Sequence, residues 1–518
     1  MNRQETLTSL KSHSPTVLIV GGGINGVGTF RDLTLQGVDT LLVDRADFCS
    51  GASAASSRMA HGGIRYLENG EFRLVREAVQ ERNRLIQNAP SLVKPLPTTI
   101  PIFKTFSGIF NSAFKFMGWL EKPSERGGLI IKVGLIFYDA FTGKSRAVPR
   151  HVFDNHSTSL KKFPRINPAV RYTATYYDGI FLSPERLTIE LLLDAEKDGE
   201  HARSLNYVSL VSVSGGQATL KDEVTGQAFE ITPRLIINAA GPWIDSTNIS
   251  LGLKTHYIGP TKGSHLVLDN PELCAAIDGH EFFFENKDGR IVLIFPLFDK
   301  VMIGTSDLPI EDPNSARCTD DEVDYFIEMV GRVFPGIQVR REQIVFRFSG
   351  VRPLAYTNAK LAGQITRDHH IQEDKLGDLP VYSLVGGKWT SFRAFSEQAT
   401  DRALAFLNLS RKTNTRTLPI GAGKEAFALK TDPHYTPFEI AAMAKREKII
   451  HLDDLVLRRT LLAYLGQLTR PLLDDLANEL GQALGWDKEM EANEVKRTLE
   501  ILADRHGVQL ENAIKVSK

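Results

Sequence analysis

Near the start of the chain, the apolar, β-branched run Thr16 to Val20 stops at three glycines. Gly21-x-Gly23-x-x-Gly26 follows, residues 26–36 read as a helix, and a second run, DTLLVD, ends at Asp44. Strand, glycine turn, helix and strand in that order constrain the fold more than any other feature. The first glycine permits a tight turn, the second lets the backbone approach a pyrophosphate, and the third lets helix and strand pack closely. The phosphate charge then rests on the positive amide end of the helix. Asp44, 18 residues past Gly26, is placed to accept hydrogen bonds from a ribose. A Rossmann-type unit in an α/β fold is expected. The nearness of the motif to the start of the chain favours FAD over NAD, although the glycines alone do not decide.

Over 518 residues, 62 basic side chains balance 62 acidic ones. That balance excludes a nucleic-acid binder acting through bulk charge, and a hydrophobic fraction of 42% excludes a disordered chain. Cys49, Cys274 and Cys318 lie far apart with no CxxC spacing, against a disulfide framework or a thiolate metal site. The first sixteen residues are polar, and no window offers the roughly 20 apolar residues of a spanning helix. The nearest, GGLIIKVGLIF, is short and carries Lys132. The protein is expected in the cytoplasm or peripherally on the cytoplasmic face of a membrane.

Residues 71–88 read as an amphipathic helix with Phe72, Val75, Val79 and Ile86 on one face. PLPTTIPIF reads as a strand, and about 170–365 as a mixed β region with the runs FFFE, IVLIFPL and KVMIGTS. From about 425 the pattern is helical, including EIAAMAKREKIIHLDDLVLRRTLLAYL as one stretch. The expected organisation is a first FAD-binding segment (15–105), a membrane-proximal insertion and connection (106–165), and a mixed substrate/FAD region (166–350). That region returns to the FAD-binding unit near 234–245. A closing FAD segment (351–410) and a C-terminal helical domain (420–518) complete it. The C-terminal helices read as a regulatory or dimer module.

Several blocks then carry a resemblance. They are IVGGGINGVG, SGASAASSRMAHGGIRYLENGEFRLVREA, NAAGPWID, KGSHLVL, IGTSD, SGVRPL, TRDH and GGKWTSFR. In this order the chain resembles the FAD-dependent glycerol-3-phosphate dehydrogenases over about residues 15–400. The resemblance implies oxidation of sn-glycerol 3-phosphate to dihydroxyacetone phosphate, with electrons passed to membrane quinone. It implies FAD held by Gly21, Gly23, Asn25, Gly26, Asp44, Ser53, Ser56, Ser57, Gly62, Gly241, Gly387, Lys388, Trp389 and Thr390. It also implies a substrate pocket of Arg352, Arg65, Arg367, Lys388, His265, His61 and Tyr66.

Oxidising a secondary alcohol needs a base for the hydroxyl proton, and a phosphate dianion needs cationic clamps. His265 is the leading base candidate and His61 the next. Arg352 polarises the reacting oxygen, Arg65, Arg367 and Lys388 clamp phosphate or the reduced flavin, and Tyr66 orients the substrate. The alternatives are a longer polyol phosphate such as erythritol phosphate, an oxidase passing electrons to oxygen, a flavin amine oxidase, and a non-enzymatic FAD-binding protein. The partners are then glycerol 3-phosphate, quinone and a membrane surface, with a homodimer left open.

Residues 104–126 look like an insertion in which Phe106, Phe110, Ala113, Met117 and Leu120 follow helical spacing. The wider stretch 104–150 carries eight Lys/Arg against three acids. An aromatic-rich amphipathic segment with basic neighbours fits an interfacial anchor or a helix packed on protein.

Overall fold

The computed structural model describes residues 2–64, 71–104, 128–142, 147–199, 201–286, 290–357, 368–421 and 429–510. Val17–Val20 (β1) has no polar side chain and all four residues are buried, as in a parallel strand covered on both faces. It lies in a six-stranded sheet with Thr40–Val43 (β2), Ala202–Leu205 (β3), Leu235–Asn238 (β4), His370–Leu376 (β5) and Leu379–Val385 (β6). The spatial order is β5-β6-β4-β1-β2-β3, and only β5 and β6 pair antiparallel.

Alternation along β1 feeds two cores. Val17 and Ile19 pack with the helix Ile24–Leu35 (α1), which is flanked by the helices Pro184–Asp198 and Phe392–Leu407. Leu18 and Val20 face the other way, onto a small antiparallel sheet of Val208–Ser214, Gln217–Asp222 and Ala228–Ile231.

A second, larger sheet faces the first. Its strand Thr261–Leu268 lies between Lys300–Gly304 and Ile344–Arg352, antiparallel to both. Ile291–Leu297 and Glu281–Glu285 extend it to Val93–Ile102 and Tyr172–Phe181. The helices Phe72–Asn88 (α2) and Gly128–Thr142 (α3) pack over this end, with Val75, Val79, Leu135, Tyr138 and Tyr176 in one cluster. Past residue 429 come Pro437–Arg446 (α4), a π-turn at Leu455–Arg459, Arg470–Leu484 (α5) and Lys488–His506 (α6). Thr436 and Glu439 form a capping box that starts α4, while Thr469 and Asp487 cap α5 and α6. These helices share an apolar cluster with Val267, Phe295, Met302 and Phe346 of the large sheet.

Three expectations need correction. Outside the return near 234–245, the stretch 170–365 is still not one β unit: β3 belongs to the first sheet, because short buried runs carry no record of which sheet they join. EIAAMAKREKIIHLDDLVLRRTLLAYL is not one helix: α4 ends at Arg446 and the backbone resumes as a short turn and a π-turn. Phe72 is 47% exposed, and the buried face of α2 is Leu74, Val75, Ala78, Val79 and Leu85. The proposed insertion helix 106–120 lies outside the described residues. Among the described residues, no helix is long and apolar enough to cross a membrane.

Candidate active site

A cavity of about 1810 Å³ opens between the two sheets, at the carboxyl ends of β1, β2 and β4. Ligands of open α/β sheets bind at that edge. The volume exceeds the roughly 300–1,000 Å³ of ordinary small-molecule pockets, which leaves room for a dinucleotide and a substrate together.

The glycine turn forms one end of the cavity. Gly21 has φ +112°, and a Cβ there would come within 2.6 Å of the Ala239 carbonyl oxygen. A Cβ on Gly26 would lie 1.8 Å from the Gly21 carbonyl oxygen. Gly23 caps α1 without a side chain, so the first-turn amides face the cavity largely free. Ile24 N donates to Ser53 Oγ at 3.0 Å, and the Ser53 carbonyl accepts from Trp389 Nε1 at 3.0 Å. Asp44 accepts from the backbone N–H of Gly22 (2.6 Å) and of Ala46 (2.9 Å). Burial nevertheless pushes its carboxyl up to about 6, against those two N–H groups.

At the other end the large sheet presents Arg352. Its guanidinium donates to Thr305 Oγ1 (2.8 Å) and the Ser306 carbonyl (3.0 Å) and pairs with Asp307 at 3.3 Å. His265 sits beside it, stacked on Phe348 with ring centroids 4.9 Å apart. Its Nε2 lies 2.9 Å from Ser57 Oγ, and its buried Nδ1 has no partner. Burial first, then the Arg352 and Arg58 charges, push the imidazole down to about 3. It is therefore neutral near pH 7. Lys388 and His61 also line the cavity, each partly exposed.

The FAD-dependent oxidoreductase family model matches residues 16–388. A glycerol-3-phosphate dehydrogenase of Synechocystis is 36% identical over 448 residues, covering 80% of this chain and 74% of that one. D-erythritol 1-phosphate dehydrogenase of Brucella abortus is 30% identical over 394 residues, covering 74% and 73%. A glycerol-3-phosphate dehydrogenase of Bacillus halodurans, solved with FAD, superimposes with a TM-score of 0.73 over 99% of both chains at 20% identity. The chain belongs to the FAD-dependent glycerol-3-phosphate dehydrogenase family.

FAD is the cofactor of this family member, and the residues present fit it. The glycine cradle leaves backbone next to a pyrophosphate site. The buried Asn25 Oδ1 lacks a hydrogen-bond partner, while Asn25 Nδ2 donates to the Gly386 carbonyl at 3.2 Å. Gly387 (φ +93°) could carry no side chain there, because a Cβ would meet Asn25 at 2.4 Å. Ser53, Ser56, Ser57, Gly241 and Trp389 line the same groove. Gly26 and Thr390 do not line it: Gly26 acts in packing, and Thr390 is buried with its hydroxyl unpartnered. Gly62 also turns away from the groove, towards the Tyr138 hydroxyl. Arg65, Tyr66 and Arg367 lie outside the described residues.

Several residues at the site of this family member escape sequence reasoning. Gly263 and Gly304 leave space for the two central side chains: a Cβ at either would approach Arg352 or His265, respectively, to 2.2 Å. A glycine inside a strand was the available signal. Asp178, 1% exposed, accepts from the Gly62 N–H at 2.9 Å, the Tyr138 hydroxyl at 2.5 Å and Arg82 at 3.2 Å. This triad holds the backbone beside His61 from behind. Arg58, fully buried, donates to the Leu182 carbonyl (2.9 Å) and Glu185 (3.2 Å) and lies over the Tyr464 ring.

Proposed function

We propose that the chain oxidises sn-glycerol 3-phosphate to dihydroxyacetone phosphate and passes the electrons to membrane quinone. The observation that carries the reading is Arg352. It is fixed by Thr305, Ser306 and Asp307 at the wall of a cavity whose other end is a dinucleotide cradle. The chemistry that FAD supplies when bound is acceptance of the carbon-bound hydrogen at N5 as a hydride.

The residues of the chain do the rest. Arg352 donates hydrogen bonds to the reacting oxygen as its charge develops. Lys388 supplies a second cation lining the cavity, and Arg65 and Arg367 are assigned to the phosphate by their place in the sequence blocks. The hydroxyl proton passes to a histidine, leaving a ketone. Nε2 of His265 is engaged by Ser57 and its ring is held neutral by burial and two guanidiniums. His61 lines the cavity and is only partly buried. We therefore assign His61 the proton and His265 the positioning of Ser57, the reverse of the order the sequence favours.

The quinone step is supported by α3. Leu129, Val133, Ile136 and Phe137 leave about half their surfaces exposed (51%, 46%, 53% and 55%), while Leu135 and Tyr138 on the opposite side are buried. Lys132 flanks the apolar face. An amphipathic helix of this kind lies in a lipid interface without spanning it, which fits peripheral attachment at the cytoplasmic face. A second reading, oxidation of a four-carbon polyol phosphate, is favoured by the spare cavity volume and by the likeness to the Brucella enzyme.

Anaerobic addition of glycerol 3-phosphate to the yellow protein is expected to bleach the flavin band, and a soluble quinone to restore it. Absence of bleaching would sink the proposal. Faster bleaching by erythritol phosphate would select the second reading. Reoxidation by oxygen as fast as by quinone would make the enzyme an oxidase.

A further inference from the structure

The reaction as derived leaves the C-terminal helices without a task, yet they hold the densest buried charge network in the described structure. Asp47, three residues beyond Asp44, is fully buried. Its Oδ2 accepts from Arg458 Nε at 2.5 Å and Arg459 Nη1 at 2.7 Å, and its Oδ1 from Arg459 Nη2 at 2.9 Å and Asn206 Nδ2 at 3.0 Å. Both arginines come from the π-turn. Asn206 also donates to the Lys448 carbonyl (2.8 Å), and the Tyr207 hydroxyl donates to Asp454 (2.6 Å). A second tie joins Arg186, under the first sheet, to both oxygens of Glu447 at 2.6 and 2.9 Å.

The ties through Asp47 and Tyr207 end on one corner of the cofactor groove. Asp44, Ala46, Asp47, Tyr207 and Val208 all line the cavity. Their backbones are interlocked: Tyr207 N donates to the Ala46 carbonyl (3.0 Å) and Val208 N to the Asp44 carbonyl (2.7 Å), while Ala46 N orients the Asp44 carboxylate at 2.9 Å. Asp453, Leu457, Arg458 and Arg497 of the C-terminal part line the same cavity. The helices therefore complete the wall at the end where Asp44 meets a ribose.

We infer that the C-terminal helical part is a latch for the adenosine half of FAD, with Arg458 and Arg459 acting as positioning residues through Asp47. Buried ion pairs lose about as much in desolvation as they gain in attraction, so such a network adds little to stability. What it supplies is one fixed geometry. The two guanidiniums hold the Asp47 carboxyl well below the usual carboxylate range in spite of its burial. Asp47 thus stays ionised between its two guanidiniums, and its place in the corner is held by four hydrogen bonds. The inference rests on FAD as cofactor and is independent of which polyol phosphate is oxidised.

The test compares FAD with FMN, which lacks the adenosine half. Holoenzymes of the parent, Asp47→Asn and Arg459→Lys are diluted, and flavin release is followed by fluorescence. Each protein is then stripped and titrated with FAD and with FMN. Both variants are expected to release FAD at least tenfold faster and to bind FMN as the parent does. Arg459→Lys keeps the charge but loses the two-pronged fork on Asp47 and the bonds to the Glu447 carbonyl, so it serves where Asp47→Asn fails to fold. Tyr207→Phe, which loses only the bond to Asp454, is the mildest arm. Unchanged FAD release in the folded variants would overturn the latch. Equal weakening of FAD and FMN would overturn it too, because it would indicate general loosening. A parent that takes up no flavin would instead refute the cofactor.

Discussion

Replacing Tyr138 by Phe removes one hydroxyl and keeps the ring that packs on Gly62. That hydroxyl donates to Asp178 at 2.5 Å and accepts from Arg82 at 2.8 Å. Arg82 keeps two acceptors, Asp178 at 3.2 Å and the Tyr177 carbonyl at 2.8 Å, so no buried donor is orphaned. Both of these bonds are lost; because Arg82 keeps its other acceptors, the main cost is the bond to the Asp178 carboxylate, about 1.5–3 kcal/mol. Asp178 is the acceptor for the Gly62 N–H at 2.9 Å, so the loss loosens the backbone next to His61. At about 1.4 kcal/mol per factor of ten, the upper bound on weakened substrate handling is roughly ten- to a hundredfold. The assay is steady-state turnover of glycerol 3-phosphate, with the flavin absorbance as a check on cofactor content. KM is expected to rise within that range with the flavin retained. A lowered melting temperature with KM and kcat both within about twofold of the parent would show that the triad supports only the fold, and would refute the argument.

Arg352→Ala removes the group aimed at the developing oxygen charge. It should keep its flavin and lose about two to three orders of magnitude in kcat; near-parental turnover would remove Arg352 from the chemistry. Glu substituted at both Val133 and Phe137 should release the protein from anionic vesicles in a sedimentation assay without loss of flavin, and unchanged sedimentation would dismiss the face of α3 as the lipid contact. The Asp44 carboxyl is raised to about 6 by burial in the free groove. A ribose hydroxyl donates to the ionised form, so FAD affinity should be full above pH 6 and weaken as pH falls through 6. The sign is opposite for the stability of the flavin-free protein. Folding favours the protonated carboxyl there, so that contribution is complete below 3.8, the ordinary value, and is lost as pH rises through about 6. Flavin titrations from pH 5 to 8 that show no such dependence would separate Asp44 from the ribose.

The sequence by itself determined whatever is encoded within a few residues. The turn at Gly21, Gly23 and Gly26 is a matter of φ and of closest backbone approach. The start of α4 is Thr436, Pro437 and Glu439 acting across one turn, and the blocks around Arg352 and Lys388 mark the cavity wall. What the tertiary structure alone decided is which distant groups meet. Asp178 and Tyr138 lie 40 positions apart and close on Gly62 only when α3 packs across the large sheet. Asp47 finds Arg458 across 411 positions, from a stretch that reads in sequence as an uninterrupted helix. The neutral state of His265 is likewise decided in three dimensions, because burial and the Arg352 and Arg58 guanidiniums set its proton affinity and neither is written next to it in the chain. Local geometry follows from steric rules along the backbone. Pairing of buried charges follows from which chain segments exclude water together, and that is fixed only once the sheets have packed.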